Sequence, residues 1–266
     1  MSEGELILFV GSTIWVAYAW GGWYMRLLRI PVPVDGQAAR LIMGMAPLVC
    51  MAVLFSILIR FSSYDVRSSA FYTLFYLILG AAWLALMTRV LPLVGICLRD
   101  DGVERGNLAA AWTGAGAWLG LTLAFAGANI GDGPGWWVVI FSASLSSLSW
   151  FLAWLVWERL SASAPAVTID RDVASGIRSA AMAISIGLLT GRCAAGTWVS
   201  ASATVADFLR DLWPLFTLLL LGGLAERALG RRGVSEYRPL AIYGWGPALI
   251  YLGGALTGLL ALGWWT

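Results

Sequence analysis

Histidine and lysine are both missing from this 266-residue chain, and charged residues of every kind make up only 12% of it. Without an imidazole there is no histidine-ligated haem, no histidine metal site and no Ser-His or Cys-His nucleophile pair. Without a lysine amine there is no Schiff base to hold retinal or pyridoxal phosphate. Cys50, Cys97 and Cys193 stand far apart, in or beside apolar stretches and without CxxC spacing, so they read as small core residues rather than a disulfide or metal set. These absences lead us to expect no cofactor, no metal and no enzymatic activity. A net charge of +2 offers no basic face to a nucleic acid.

What the chain has instead is apolar surface. Hydrophobic residues make up 60% of it and the mean hydropathy is +0.80, leaving too few polar groups to cover a soluble globule of this size. Lipid is therefore the expected solvent. Eight uncharged or nearly uncharged runs follow one another: 6–23, 41–59, 70–87, 108–128, 136–157, 173–190, 205–225 and 240–265. The second has 19 uncharged residues, enough to cross a hydrocarbon layer of about 30 Å at about 1.5 Å per residue. The first has neither a basic leader nor a small-residue cleavage site, so it reads as a membrane helix rather than a signal peptide. Pro31 and Pro33 end it, and Gly131-Asp132-Gly133-Pro134-Gly135 makes the turn between the fourth and fifth runs. The fold expected is an all-α polytopic membrane bundle.

Arginine placement gives an orientation. Assigned to the nearest span end, arginines 26, 29, 40, 89, 99, 105, 159, 171, 178, 227, 231, 232 and 238 fall after odd-numbered spans, and 60, 67, 192 and 210 fall on the other side. Thirteen against four predicts the first side to be cytoplasmic, with both termini outside, in a bacterial inner membrane.

Two stretches resemble each other. Asn107-Leu108-Ala109-Ala110 opens an apolar hairpin that stops at Glu158-Arg159, and Asp172-Val173-Ala174-Ser175-Gly176 opens another that stops at Glu226-Arg227. Aligning Asn107 with Asp172 places Ala109 over Ala174, Gly116 over Ala181 and Gly120 over Ser185. We read this as a two-helix unit written twice, at 103–159 and 170–227, and because each copy holds two spans the copies are expected to enter the membrane in the same direction. The segment 35–90 has a similar rhythm and is a candidate third copy. Organisation follows as a three-helix segment 1–98, a duplicated four-helix domain 99–229 and a last helix 230–266. The two openings with their small-residue stripes resemble the YjfL-type family of small bacterial inner-membrane proteins, a domain of unknown function, over 103–229; Asp172 stands where that family usually has Asn. The resemblance implies a membrane-embedded four-helix unit and no activity.

Gly116 and Gly120, Gly187 and Gly191, and Gly254 and Gly258 are spaced to let helices approach closely. Trp20, Trp23, Trp136, Trp137, Trp198, Trp264 and Trp265 fall at span ends, where aromatic belts belong, whereas Trp112, Trp118, Trp150 and Trp154 lie deeper and fill the core or line a cavity.

Asp207, Arg210 and Asp211 share a helix face near the start of the seventh span, with Arg192 as a prospective partner from the sixth. Buried, they would form an ion or solute pathway or an ion pair; at the interface, they would only start the helix in water. Both readings stand, because the stretch from Leu212 to Ala225 is only 14 residues, short of a full crossing. Asn107 and Asp172 are expected as helix N-caps. Two functions remain open: a non-enzymatic accessory or scaffold subunit that meets membrane or peripheral partners through 98–105 and 227–238 on the arginine-rich face, and a small-solute or ion conduit between the repeats. The composition is compatible with a homo-oligomer.

Overall fold

The computed structural model describes residues 2–31, 36–230 and 239–263; Pro33, Asp35, Trp264, Trp265 and arginines 231, 232 and 238 lie outside them. Among the described residues the chain is helical without a strand, and eight helical stretches are long and apolar enough to cross a membrane. Helices α1 (Glu3–Arg29), α2 (Gln37–Phe61), α4 (Ala70–Val90), α5 (Leu108–Gly127), α6 (Trp136–Ser161) and α8 (Val173–Ala194) are single rods. Short helices α3 (Tyr64–Ser68) and α7 (Ala164–Thr168) sit in connections. The seventh span differs from the single helix expected: α9 (Ala201–Asp211) and α10 (Trp213–Gly230) meet at a break at Leu212. Pro214 follows this break, and a proline at the first turn of a helix needs no amide donor. The last span begins with a π-helical turn, Ala241–Trp245, and continues as α11 (Gly246–Ala261).

Caps start several of these helices. Ser2 accepts from the Glu5 amide at 3.3 Å while the Glu5 carboxylate accepts from the Ser2 amide at 2.7 Å, a reciprocal capping box. Asn107 accepts from the amides of Ala109 and Ala110, and Asp172 from those of Ala174 and Ser175.

Helices α2, α5, α8 and α11 form a row at the centre, flanked by α1, α4, α6 and α10. Within the row α5 and α8 touch backbone to backbone. A Cβ placed on Gly176 would meet Ala109, one on Gly116 would meet Ala180, one on Gly187 would meet Gly120, and one on Gly127 would meet Gly191. Partner numbers rise together along both helices, so α5 and α8 run parallel. Gly254 and Gly258 do something different: they pack on the side chains of Leu218, Pro214 and Leu189.

The backbones leading into α5 and α8 also match. Gly106 and Arg171 are both left-handed, with φ of 59° and 54°. Arg105 donates to the Asp100 carbonyl and Asn107 to that of Asp101; Asp170 donates to Pro165 and Asp172 to Ala166. Each member of the second set stands 65 positions after its counterpart (172 − 107 = 65).

Trp118, Trp150 and Trp154 are buried in the core, together with Trp157. Trp118 donates to Thr88 at 2.8 Å and Trp150 to the Ala183 carbonyl at 2.9 Å. Trp112 is different, packing edge-on against Trp245 at 5.6 Å beside an apolar groove between α2 and α11.

Candidate functional site

Arg210 pairs with Asp207 at 2.9 Å and Asp211 at 3.1 Å, but Arg210 and Asp207 are 69% and 61% exposed. Asp207 and Arg210 therefore lie on the outer surface of α9 rather than inside the bundle, whereas Asp211, 21% exposed, sits against α8, where Cys193 donates to its backbone carbonyl. Arg192 points to the end of the last helix, donating to the carbonyls of Leu262 and Gly263 at 3.0 Å. The sequence grouped these four residues, and the structure splits that group.

A buried charge pair lies elsewhere. Arg178 on α8 donates through Nε to Glu226 on α10 at 2.6 Å, and the two side chains are only 4% and 5% exposed. Tyr251 on α11 donates to the same carboxylate oxygen at 3.0 Å. Arg178 also donates to Ser175 Oγ at 2.9 Å and to the Tyr243 carbonyl. Ser175 Oγ in turn donates to Asp172 at 2.5 Å, so the cap of α8 is wired to the ion pair. Three helices thus meet on a guanidinium with its hydrogen-bonding edges occupied, as a charge held away from water requires. One turn of sequence held the signal: Arg178 falls between Ala174 and Ala181, inside the stripe that α8 turns to its neighbours, and a charge there must be buried and paired.

Near this cluster Glu158, half-buried at the end of α6, accepts from Ser163 Oγ at 2.7 Å and from the Ala164 amide at 3.1 Å. Glu158, Thr113 and Ser179 edge a small cavity of about 30 Å³ that also reaches Trp154. At the opposite end of the bundle a polar cavity of about 100 Å³ is bordered by Asp65, Asn129, Asp132, Ser142 and Asp207. Cys97 lies in the charged connection before α5; burial, with Asp101 and Asp100 nearby, pushes its thiol pKa up against the opposing effect of Arg105, so it stays protonated and is a poor nucleophile. Among the described residues no group of three histidine, cysteine or carboxylate side chains is placed to hold a metal.

Residues 64–194 match the family DUF350, Domain of Unknown Function. The chain carries a DUF350 domain. No curated protein and no solved structure matches the chain. The DUF350 domain starts earlier than the 103–229 resemblance suggested and ends earlier too: it takes in α3 and α4 and stops with α8. Asn107, Glu158, Asp172, Arg178 and Arg192 therefore lie inside the DUF350 domain, whereas Asp207, Arg210, Asp211 and Glu226 lie beyond it. The ion pair at Arg178 ties the DUF350 domain to the helices that follow it.

Asn107 does more for the DUF350 domain than cap α5. Its amide nitrogen donates to the Val167 carbonyl at 2.8 Å, anchoring α7, and the residue is 1% exposed. Asn107→Asp keeps the cap acceptor but sets a carboxylate oxygen against that carbonyl. The expected loss is about 2 kcal/mol, the cost of an unsatisfied buried acceptor pair, read as a lowered unfolding midpoint in detergent. An unchanged midpoint would show that the amide contributes nothing beyond the cap.

Proposed function

We propose that the protein is a non-enzymatic accessory or scaffold subunit of a bacterial inner-membrane assembly, with its arginine-rich end in the cytoplasm and both termini outside. One observation carries this reading: the contact between α5 and α8, where a conduit between repeats would run, is closed backbone to backbone along its length. A Cβ on Gly120 would stand 2.2 Å from the Ala183 carbonyl oxygen, and one on Gly127 would stand 2.0 Å from that of Gly191, leaving no passage even for water. The matching backbones 65 positions apart support the parallel duplication on which a pseudo-symmetric platform would rest. The charged connection supplies a surface for a peripheral partner, since Arg99, Asp100 and Arg105 are all exposed.

The conduit reading keeps one observation of its own. A polar cavity indents one end of the bundle and a smaller, more apolar one edged by Glu158 the other, and Ser185 Oγ and Trp154 Nε1 are buried without a hydrogen-bond partner, as they would be along an interrupted polar route. Flux through liposomes holding the purified protein separates the two, with Asp207→Asn and Asp211→Asn alongside. The scaffold reading expects no flux of any ion or small solute in either form, and crosslinking in cells to a partner through 98–105. Selective flux abolished by either substitution would replace it with the conduit.

A further inference from the structure

A cavity of about 470 Å³ opens at the arginine-rich end between α1, α4 and the charged connection before α5. Arg26, Arg89, Arg99 and Asp100 border it, with Trp20 and Trp23 on one wall and Gly22 between them. The arginines differ in their commitments. Arg99 is held by Glu104 at 2.6 Å and lies near Asp100. Arg89 stacks over Trp15 with its guanidinium carbon 4.4 Å from the ring centre, and no carboxylate pairs with it among the described residues. Arg26 likewise has no carboxylate partner among the described residues. The tryptophans are fixed from behind: Trp20 donates to the Ala81 carbonyl at 3.0 Å, Trp23 to that of Met43 at 3.2 Å, and both pack edge-on against Trp118. Two guanidiniums without a carboxylate partner among the described residues therefore share one recess with a rigid indole wall, in the last turns of α1 and α4, and the Asp100 carboxylate at its rim has Arg99 beside it.

We propose that this recess binds a phosphate-bearing anion, presented by an anionic phospholipid whose headgroup meets Arg26 and Arg89 while its glycerol and upper acyl carbons lie against Trp20 and Trp23. Guanidinium groups match phosphate oxygens in a bidentate geometry, and indoles favour the boundary between headgroup and chain. The inference is independent of the scaffold or conduit reading, since it needs only the recess.

The test is lipid retention by the full-length protein, measured by native mass spectrometry after exchange into mixtures of phosphatidylglycerol and phosphatidylcholine. The wild type should retain phosphatidylglycerol preferentially. Arg26→Gln and Arg89→Gln should each weaken that preference about fivefold, the effect of one arginine near an anionic headgroup. Both side chains are exposed, so neither change disturbs the core. Gly22→Leu is the second variant: a Cβ there meets nothing within 4 Å, so the side chain fills the recess while every charge remains, and retention should fall as far. Arg29→Gln removes a charge from the same helix end outside the recess and should leave the preference unchanged. Inorganic phosphate as competitor distinguishes the source: failure to displace phosphatidylglycerol supports the lipid, and displacement at equal concentration supports the same site filled by a soluble phosphate. Equal retention of the two lipids, or a loss with Arg29→Gln as large as with Arg26→Gln, overturns the proposal.

Discussion

Gly187→Val should leave no folded protein to purify, and Gly187→Ala should already lower stability by about 3 kcal/mol, the upper part of the range for overpacking a core. A Cβ at Gly187 would lie 2.0 Å from the carbonyl oxygen of Gly120 and 2.4 Å from its Cα. These are backbone atoms of a helix held on its other sides by α2 and α6, so they cannot swing aside as a flexible side-chain tip would. The two helices would have to separate, and Gly116, Gly127, Gly176 and Gly191 would lose their close contacts together. In lipid that loss is not offset by hydrophobic drive, because helix association there rests on packing. Gly253→Ala is the matched control: nothing lies within 4 Å of its Cβ, and the change should stay within about 0.5 kcal/mol. Fluorescence-detected size exclusion reads the first variant and denaturant unfolding in detergent the other two. Wild-type stability in Gly187→Ala would mean that α5 and α8 do not touch as described.

Glu226→Ala should cost about 4 kcal/mol, comparable to the Gly187 effect but for an electrostatic reason. The substitution deletes the acceptor of both Arg178 and Tyr251 and leaves a guanidinium that is only 4% exposed without its countercharge. Arg178→Met should cost a similar amount by stranding the carboxylate. Combining Arg178→Met with Glu226→Leu should be milder than either single change, because removing both partners of a buried pair also removes the desolvation each one suffers. Unfolding midpoints of the two single variants and the double variant decide this. Costs that simply add would show that the charges are stabilised separately and that the contact between them carries little.

The two experiments probe features of unequal visibility. Glycines four apart in an apolar run are a readable pattern, and so are Asn107 and Asp172 at the starts of their helices, since a cap acts on amides two and three residues away. Arg178 and Glu226 are 48 positions apart, and no local rule joins them. Asp207, Arg210 and Asp211 show the opposite problem: spacing brings Arg210 to one carboxylate and leaves the other free, whereas Arg210 pairs with both, and spacing is blind to which face of α9 meets the bundle. Arg192 donates to carbonyls 70 and 71 positions further along the chain, and spacing is equally blind to that. The shortage of residues after Leu212 is met by α10 itself, which runs on past Ala225 to Gly230 and has 18 residues, about 27 Å at about 1.5 Å per residue.

Composition and periodicity by themselves determined that the chain is all-helical with eight stretches apolar and long enough to cross a membrane, and that Asn107 and Asp172 cap α5 and α8. Each of these depends on transfer to lipid or on hydrogen bonds within a turn, which neighbouring residues settle. Only the tertiary structure decided that α8 is the buried centre, that Arg178 finds Glu226 and Tyr251, and that two arginines are left facing an open recess. Such pairings depend on the rotation and neighbours of each rod, and in a bundle this apolar every rotation looks alike from the sequence.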